Sequence, residues 1–218
     1  MRCLLATLAL GFALTACSAP EPTASIPDVV PDTERSPEAP SVLKLSLPEL
    51  SAALADGTRT SEELTALYIL RINRIDRKGP ALQAVLAINP DALDQAKASD
   101  VRRAAGEPLG PLDGIPILLK DNIETRDPIP TTAGALALKD NITGRDSPLV
   151  AGLRAQGAVI LGKTNLSQWA NFRSNESNSG WSALGGQVRN PHMLDRNPCG
   201  SSSGSGAAAA ASLAAGTV

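Results

Sequence analysis

Two short apolar runs constrain this chain more than any other feature. Ile115-Pro116-Ile117-Leu118-Leu119 ends at Lys120, and Ala158-Val159-Ile160-Leu161 leads through Gly162 to Lys163. Neither alternates apolar with polar residues, which fits strands buried on both faces. Between them, Ser147-Pro148 opens a helix that Gly157 ends. A strand, a helix and a second strand in that order imply an α/β fold with a substantially parallel sheet.

The flanking segments agree. "LSLPELSAALADG" reads as a short helix with Pro48 near its first turn and Gly57 after its end. In the next segment Thr60 and Glu63 form a capping box. Leu64, Leu67, Tyr68, Ile72 and Ile75 then share one helical face, and Gly79-Pro80 stops the run. "ALQAVLAI" reads as a strand. Asn89-Pro90 caps a helix reaching about Ala105, with Leu93, Ala96, Val101 and Ala104 expected inward.

The N-terminus has a different character. Arg2, an apolar stretch from Leu4 to Leu14 and small residues form a secretory signal too short to span a bilayer as a helix. Leu14-Thr15-Ala16-Cys17 resembles a bacterial lipobox, so residues 1–16 are expected to be removed and Cys17 lipidated. Ser18 after the cysteine favours the outer membrane, with the domain in the cell envelope facing the periplasm. Cys3 leaves with the signal, and Cys199 is left without a disulfide partner. Residues 17–42, rich in Pro, Ser and acid, read as a disordered tether, and residues 43–218 as the folded domain.

Composition excludes several functions. At 43% hydrophobic and 19% charged residues, the domain can bury a core. A net charge of −2 without one-sign runs, and 2% aromatics, argue against nucleic acid as a partner. His192 is the single histidine, so a multi-histidine metal site is excluded. It lies among turn formers and reads as a surface loop residue.

Two places carry chemical potential. A lysine ending a buried strand, as Lys120 does, has its ammonium disfavoured by desolvation and can serve as a general base. It can equally snorkel to solvent or pair with Asp121. The second place is "GSSSGSG", residues 200–206, followed by an alanine-rich helix former from Ala207 to Ala215. A Gly/Ser loop opening a helix converges N–H groups on one point. Ala207 after Gly206 rules out a Walker loop. A G-x-S-x-G elbow at Gly200–Gly204 has no histidine downstream. Serines here need another base, and Lys120 is the prominent candidate.

"GPLDGIPILLKDNI" with "NPCGSSSGSGAAAAASLAAG" resembles the amidase signature family, and "AGLRAQGAVILGKTNLSQWANF" and "SGWSALGGQVRNP" match the segments between those motifs. The likeness covers residues 43–218 and is closest to the bacterial peptide amidases, which remove C-terminal amides from peptides. It implies an amidase-signature fold: a mixed, mostly parallel central sheet flanked by helices, here its N-terminal part.

It also implies a Ser–cisSer–Lys triad without metal or organic cofactor. By motif position Lys120 is the base and Ser201 the bridging serine after a cis peptide bond. Ser202, Gly200 and Gly204 belong to the supporting loop, and Ser202 is expected to brace it by hydrogen bonds. Ser203 and Cys199 stand where many members have glycine, and Cys199 reads as small buried filler. Asn175 and Trp181, with Asn165, fall in the segment lining the substrate pocket of relatives. Lys163 receives no catalytic role from the match.

The resemblance puts the nucleophilic serine roughly two dozen residues after Ser201, beyond Val218. This chain is therefore expected to lack its nucleophile, to be inactive alone and to expose an unpaired sheet edge. The expected function is an exported lipoprotein amidase acting on a small amide or an amidated peptide. A non-catalytic carboxamide-binding remnant and the amidase subunit of an amidotransferase are the alternatives; the export signal argues against the second.

Overall fold

The computed structural model describes residues 41–172 and 174–218. The signal, Cys17 and most of the tether lie outside the described residues. Val42, assigned to the tether, is fully buried in the core, so the folded unit includes it.

Helix α1 spans Leu47–Ala55 and α2 Ser61–Arg71, the latter capped by Thr60 and Glu63 as its sequence predicts. A π-helical turn, Ile72–Asp76, follows. Strand β1 is Val85–Ile88, α3 Ala92–Ala104, β2 Pro116–Lys120, α4 Pro148–Ala155 and β3 Val159–Thr164. A hairpin of β4, Trp181–Ser182, and β5, Gly186–Gln187, precedes α5, Ser203–Ala210, and β6, Gly216–Thr217.

The four-stranded sheet has the order β1-β3-β2-β6. β2 runs parallel to both β3 and β6, while β1 is antiparallel to β3. The sheet is thus mixed and mostly parallel, as expected. Leu50 and Leu54 of α1, Leu64, Tyr68 and Ile72 around α2, and the middles of β2 and β3 form one buried cluster. Each such aliphatic side chain contributes about 1.5–3 kcal/mol by leaving water. Leu67 and Ile75 pack partly against it, completing the predicted face.

Several elements differ from their sequence expectations. β1 begins at Val85 rather than near Ala81, because Ala81 and Gln83 have left-handed backbones, φ 50° and 56°. Buried Asp76 takes the N–H groups of Ala84 and Val85 instead of a neighbouring strand. In α3 the inward face is Ala92, Ala96 and Ser99; Leu93 is half-buried, Ala104 is exposed and Val101 is 70% exposed. Apolar periodicity misled there because α3 packs through small residues against α2 and β3. α5 occupies the Gly/Ser stretch and stops at Ala210 rather than continuing to Ala215. Ser212 turns left-handed, φ 52°, and lets the chain return as β6 beside β2.

Candidate active site

Parallel strands place their carboxyl ends along one edge of the sheet, where α/β proteins gather their chemistry. Lys120 and Thr164 are the last residues of β2 and β3 and are cross-strand partners. The Lys120 N–H donates to Val218 O at 2.7 Å. Its side chain is half-buried and reaches Ser201: Nζ lies 2.8 Å from Oγ. Burial holds the lysine below its ordinary pKa of 10.5. Asp121 does not pair with it, since that carboxylate turns to Thr132 and Lys163.

Ser201 follows a cis peptide bond to Gly200, and Cys199 before it has φ 62°. The turn is braced by buried serines. Ser167 N–H donates to Ser201 O at 3.0 Å, and Ser203 Oγ donates to Cys199 O at 2.6 Å. Ser167 Oγ accepts Gly180 N–H at 2.8 Å. Both Gly200 and Gly204 are sterically required. A Cβ on Gly200 would stand 2.5 Å from Ser167 Oγ, and one on Gly204 2.4 Å from the carbonyl oxygens of Ala84 and Asn165.

Two expectations for this loop change. Ser202 is exposed at the N-cap of α5 and its side chain makes no cap hydrogen bond, so the bracing is done by Ser167 and Ser203. Cys199 is exposed rather than buried filler, and its backbone is left-handed. Sequence reading gave no bracing role to Ser167, Ser203 or Ser205: Ser203 and Ser205 sit among the like serines of a Gly/Ser tract, and no pattern marks Ser167 between Leu166 and Gln168. Ser205 Oγ meets Thr164 Oγ1 at 2.8 Å and Val218 O at 3.0 Å, which ties α5 to β3 and to the chain segment beside Lys120.

The remaining candidates separate by burial. Asn165 is fully buried and structural, linking Gln83 O, Gly186 O, Leu166 N–H and Ser182 Oγ. Trp181 is 46% exposed and lines a cleft of about 270 Å³ with Trp169, Asn171 and Glu176. Asn175 is exposed and does not line that cleft. His192 is exposed on its loop, as expected. A larger cavity, about 640 Å³, is lined by Ile123, Glu124, Thr131, Leu149 and Trp169, and by neither Lys120 nor Ser201. Trp169, Ala170 and Asn171, with φ between 53° and 64°, form the strained segment beside both spaces.

This arrangement can move a proton. A deprotonated amine 2.8 Å from a hydroxyl accepts its hydrogen, and the hydroxyl can draw one from a third group. Among the described residues no group of three or more His, Cys, Asp or Glu could hold a metal ion.

Known proteins are similar to this chain. The native peptide amidase from Stenotrophomonas maltophilia superimposes with a TM-score of 0.76 at 53% identity, covering 78% of this chain and 35% of that one. A protein of Arabidopsis thaliana described as a probable amidase is 44% identical over 177 residues, covering 80% of this chain and 34% of the relative. A glutamyl-tRNA(Gln) amidotransferase subunit from Thermobifida fusca is 46% identical over 171 residues, covering 78% of this chain and 32% of that relative. The chain thus spans about a third of the length of the curated relatives it matches. The family model described as Amidase matches residues 63–218, and on these grounds the chain belongs to the amidase family.

Proposed function

We propose that this chain is the base-carrying part of an amidase that hydrolyses carboxamides, with C-terminally amidated peptides as the substrate class. The 2.8 Å contact between Lys120 Nζ and Ser201 Oγ carries the reading. Neutral Lys120 takes the Ser201 hydroxyl proton, and Ser201 takes the proton of a nucleophilic serine. That serine attacks the amide carbonyl. The amine leaves with the relayed proton, and water then releases the acid from the acyl-enzyme. The nucleophile is the third member that the resemblance to the amidase signature family implies.

The substrate class rests on the 53% identity to a peptide amidase. The 46% identity to an amidotransferase component favours a second reading, ammonia release from an amide donor inside a larger complex. Lipidation at Cys17 and residence in the cell envelope belong to the first reading, because they separate the protein from cytoplasmic tRNA.

The test is hydrolysis of a C-terminally amidated dipeptide by the whole protein carrying this chain. Ammonia release that is lost in Lys120→Ala supports the proposal. Turnover that survives Lys120→Ala overturns the base assignment. Radiolabelled palmitate incorporation that is equal in Cys17→Ala overturns the lipid anchor.

A further inference from the structure

Among the described residues Lys163 is the largest fully buried side chain, at 0% exposure, and the relay does not use it. On β3 it is the partner of Leu119, one position before the Lys120–Thr164 pair. Alternation along the strand therefore sends Lys163 to the opposite face of the sheet from Lys120. Its ammonium lies beneath the turn that follows Lys120. It donates to Ile123 O and to Thr131 Oγ1, each at 2.7 Å, and stands 3.8 Å from Asp121 Oδ1. The turn is closed by the Ile123 N–H donating to Lys120 O at 2.9 Å. Asp121 in turn accepts from the N–H and hydroxyl of Thr132 and donates its own N–H to Thr164 O.

Asp121 is the residue next to Lys120 and is itself nearly fully buried. An uncompensated carboxylate there would favour a protonated Lys120 and oppose its work as a base. Lys163 supplies the compensating charge from the far face.

Resting on the amidase reading above, we propose that Lys163 is a positioning residue for Lys120, pinning its turn through Ile123 and Thr131 and neutralising Asp121 so that the amine at Ser201 stays available as a base. Asp121, Glu124 and Asp127 are the charged groups acting on Lys163, and burial outweighs all three, pushing its pKa down to about 8. On Lys120 burial alone acts. The cluster also builds a wall of the larger cavity, which Ile123 and Thr131 line.

The experiment is a side-chain nitrogen NMR titration of Lys120 in the whole protein, which needs no turnover and so stands apart from the amidase reading. In Lys163→Met, the Lys120 midpoint should rise by about one pH unit, and Lys163→Met with Asp121→Asn should restore it. In Asp121→Asn alone the Lys163 charge is left uncompensated, so the midpoints of both Lys120 and Lys163 should fall. An unmoved Lys120 midpoint in folded Lys163→Met overturns the proposal. Should Lys163→Met fail to fold, a Lys120 midpoint that stays in place in folded Asp121→Asn overturns it. With turnover as a second readout, kcat/KM at neutral pH falls about tenfold in Lys163→Met and recovers at pH one unit higher, which a loss of stability alone does not produce.

Discussion

Replacing Gly204 with alanine should be severely destabilising, while the same change at Gly206 should stabilise. Both glycines lie inside α5, two residues apart. A Cβ on Gly204 would lie 2.4 Å from the carbonyl oxygens of Ala84 and Asn165 and 2.7 Å from Asn165 N, all backbone atoms. Ordinary contact begins near 3.4 Å, so α5 would have to withdraw by about 1 Å. Withdrawal breaks the bond from Gly204 N–H to Asn165 O, now 2.9 Å, and loosens that between Ser205 and Thr164.

Overpacking costs about 1–3 kcal/mol and a stranded buried donor about 1–3 more, so Gly204→Ala should lose roughly 3–5 kcal/mol. Gly206 is exposed and has nothing within 4 Å of its added Cβ. Alanine there should gain about 0.5–1 kcal/mol from helix propensity. Urea denaturation of the two variants against the parent measures both. Equal effects, or a Gly204→Ala loss under about 1 kcal/mol, would refute the close approach of α5 to β3 and with it the placement of Ser201.

Further outcomes follow from the same contacts. Lys163 has its pKa depressed from 10.5 to about 8. Its unfolded state therefore binds more protons between those values, and stability rises with pH across that window. The gain from pH 7 to 9.5 is about 2 kcal/mol by denaturant titration and should vanish in Lys163→Met. Asp76→Ala removes the acceptor of two buried N–H groups and should cost about 2–4 kcal/mol, read as a lower thermal midpoint. In the whole protein, kcat/KM for an amidated peptide should rise with pH through a midpoint below 10.5, because burial lowers Lys120; a midpoint at or above 10.5 contradicts the buried base. Ser201→Ala should cut turnover by at least about 100-fold while leaving the thermal midpoint nearly unchanged, since Ser201 is half-buried and its turn is held by Ser167 and Ser203.

Local patterning was legible wherever one residue's neighbours along the chain decide its state. The capping box at Thr60, the proline-led start of α4 and the doubly buried β2 and β3 all appear where their residues indicate. The partnership of Lys120 with Ser201, 81 positions apart, was reached through resemblance to a family and not through periodicity. α3 and its inward Ala96 were legible, but Val101 and Ala104 were misplaced because the inward face uses alanine and serine, which hydropathy does not distinguish from a solvated face. β6 escaped notice because two residues carry no pattern; its strand character comes from the edge of β2 that it completes.

By itself the sequence determined the class of fold and the two positions where chemistry is possible, because strand burial and helix ends are written in short-range order. Tertiary structure alone decided what the charged and hydroxyl groups do. Lys120 and Lys163 end similar apolar runs. One faces Ser201 and the other is sealed beneath Asp121, Ile123 and Thr131. Strand alternation and the packing of α5 separate them, and no count along the chain distinguishes two lysines whose difference is the face of the sheet on which each lies.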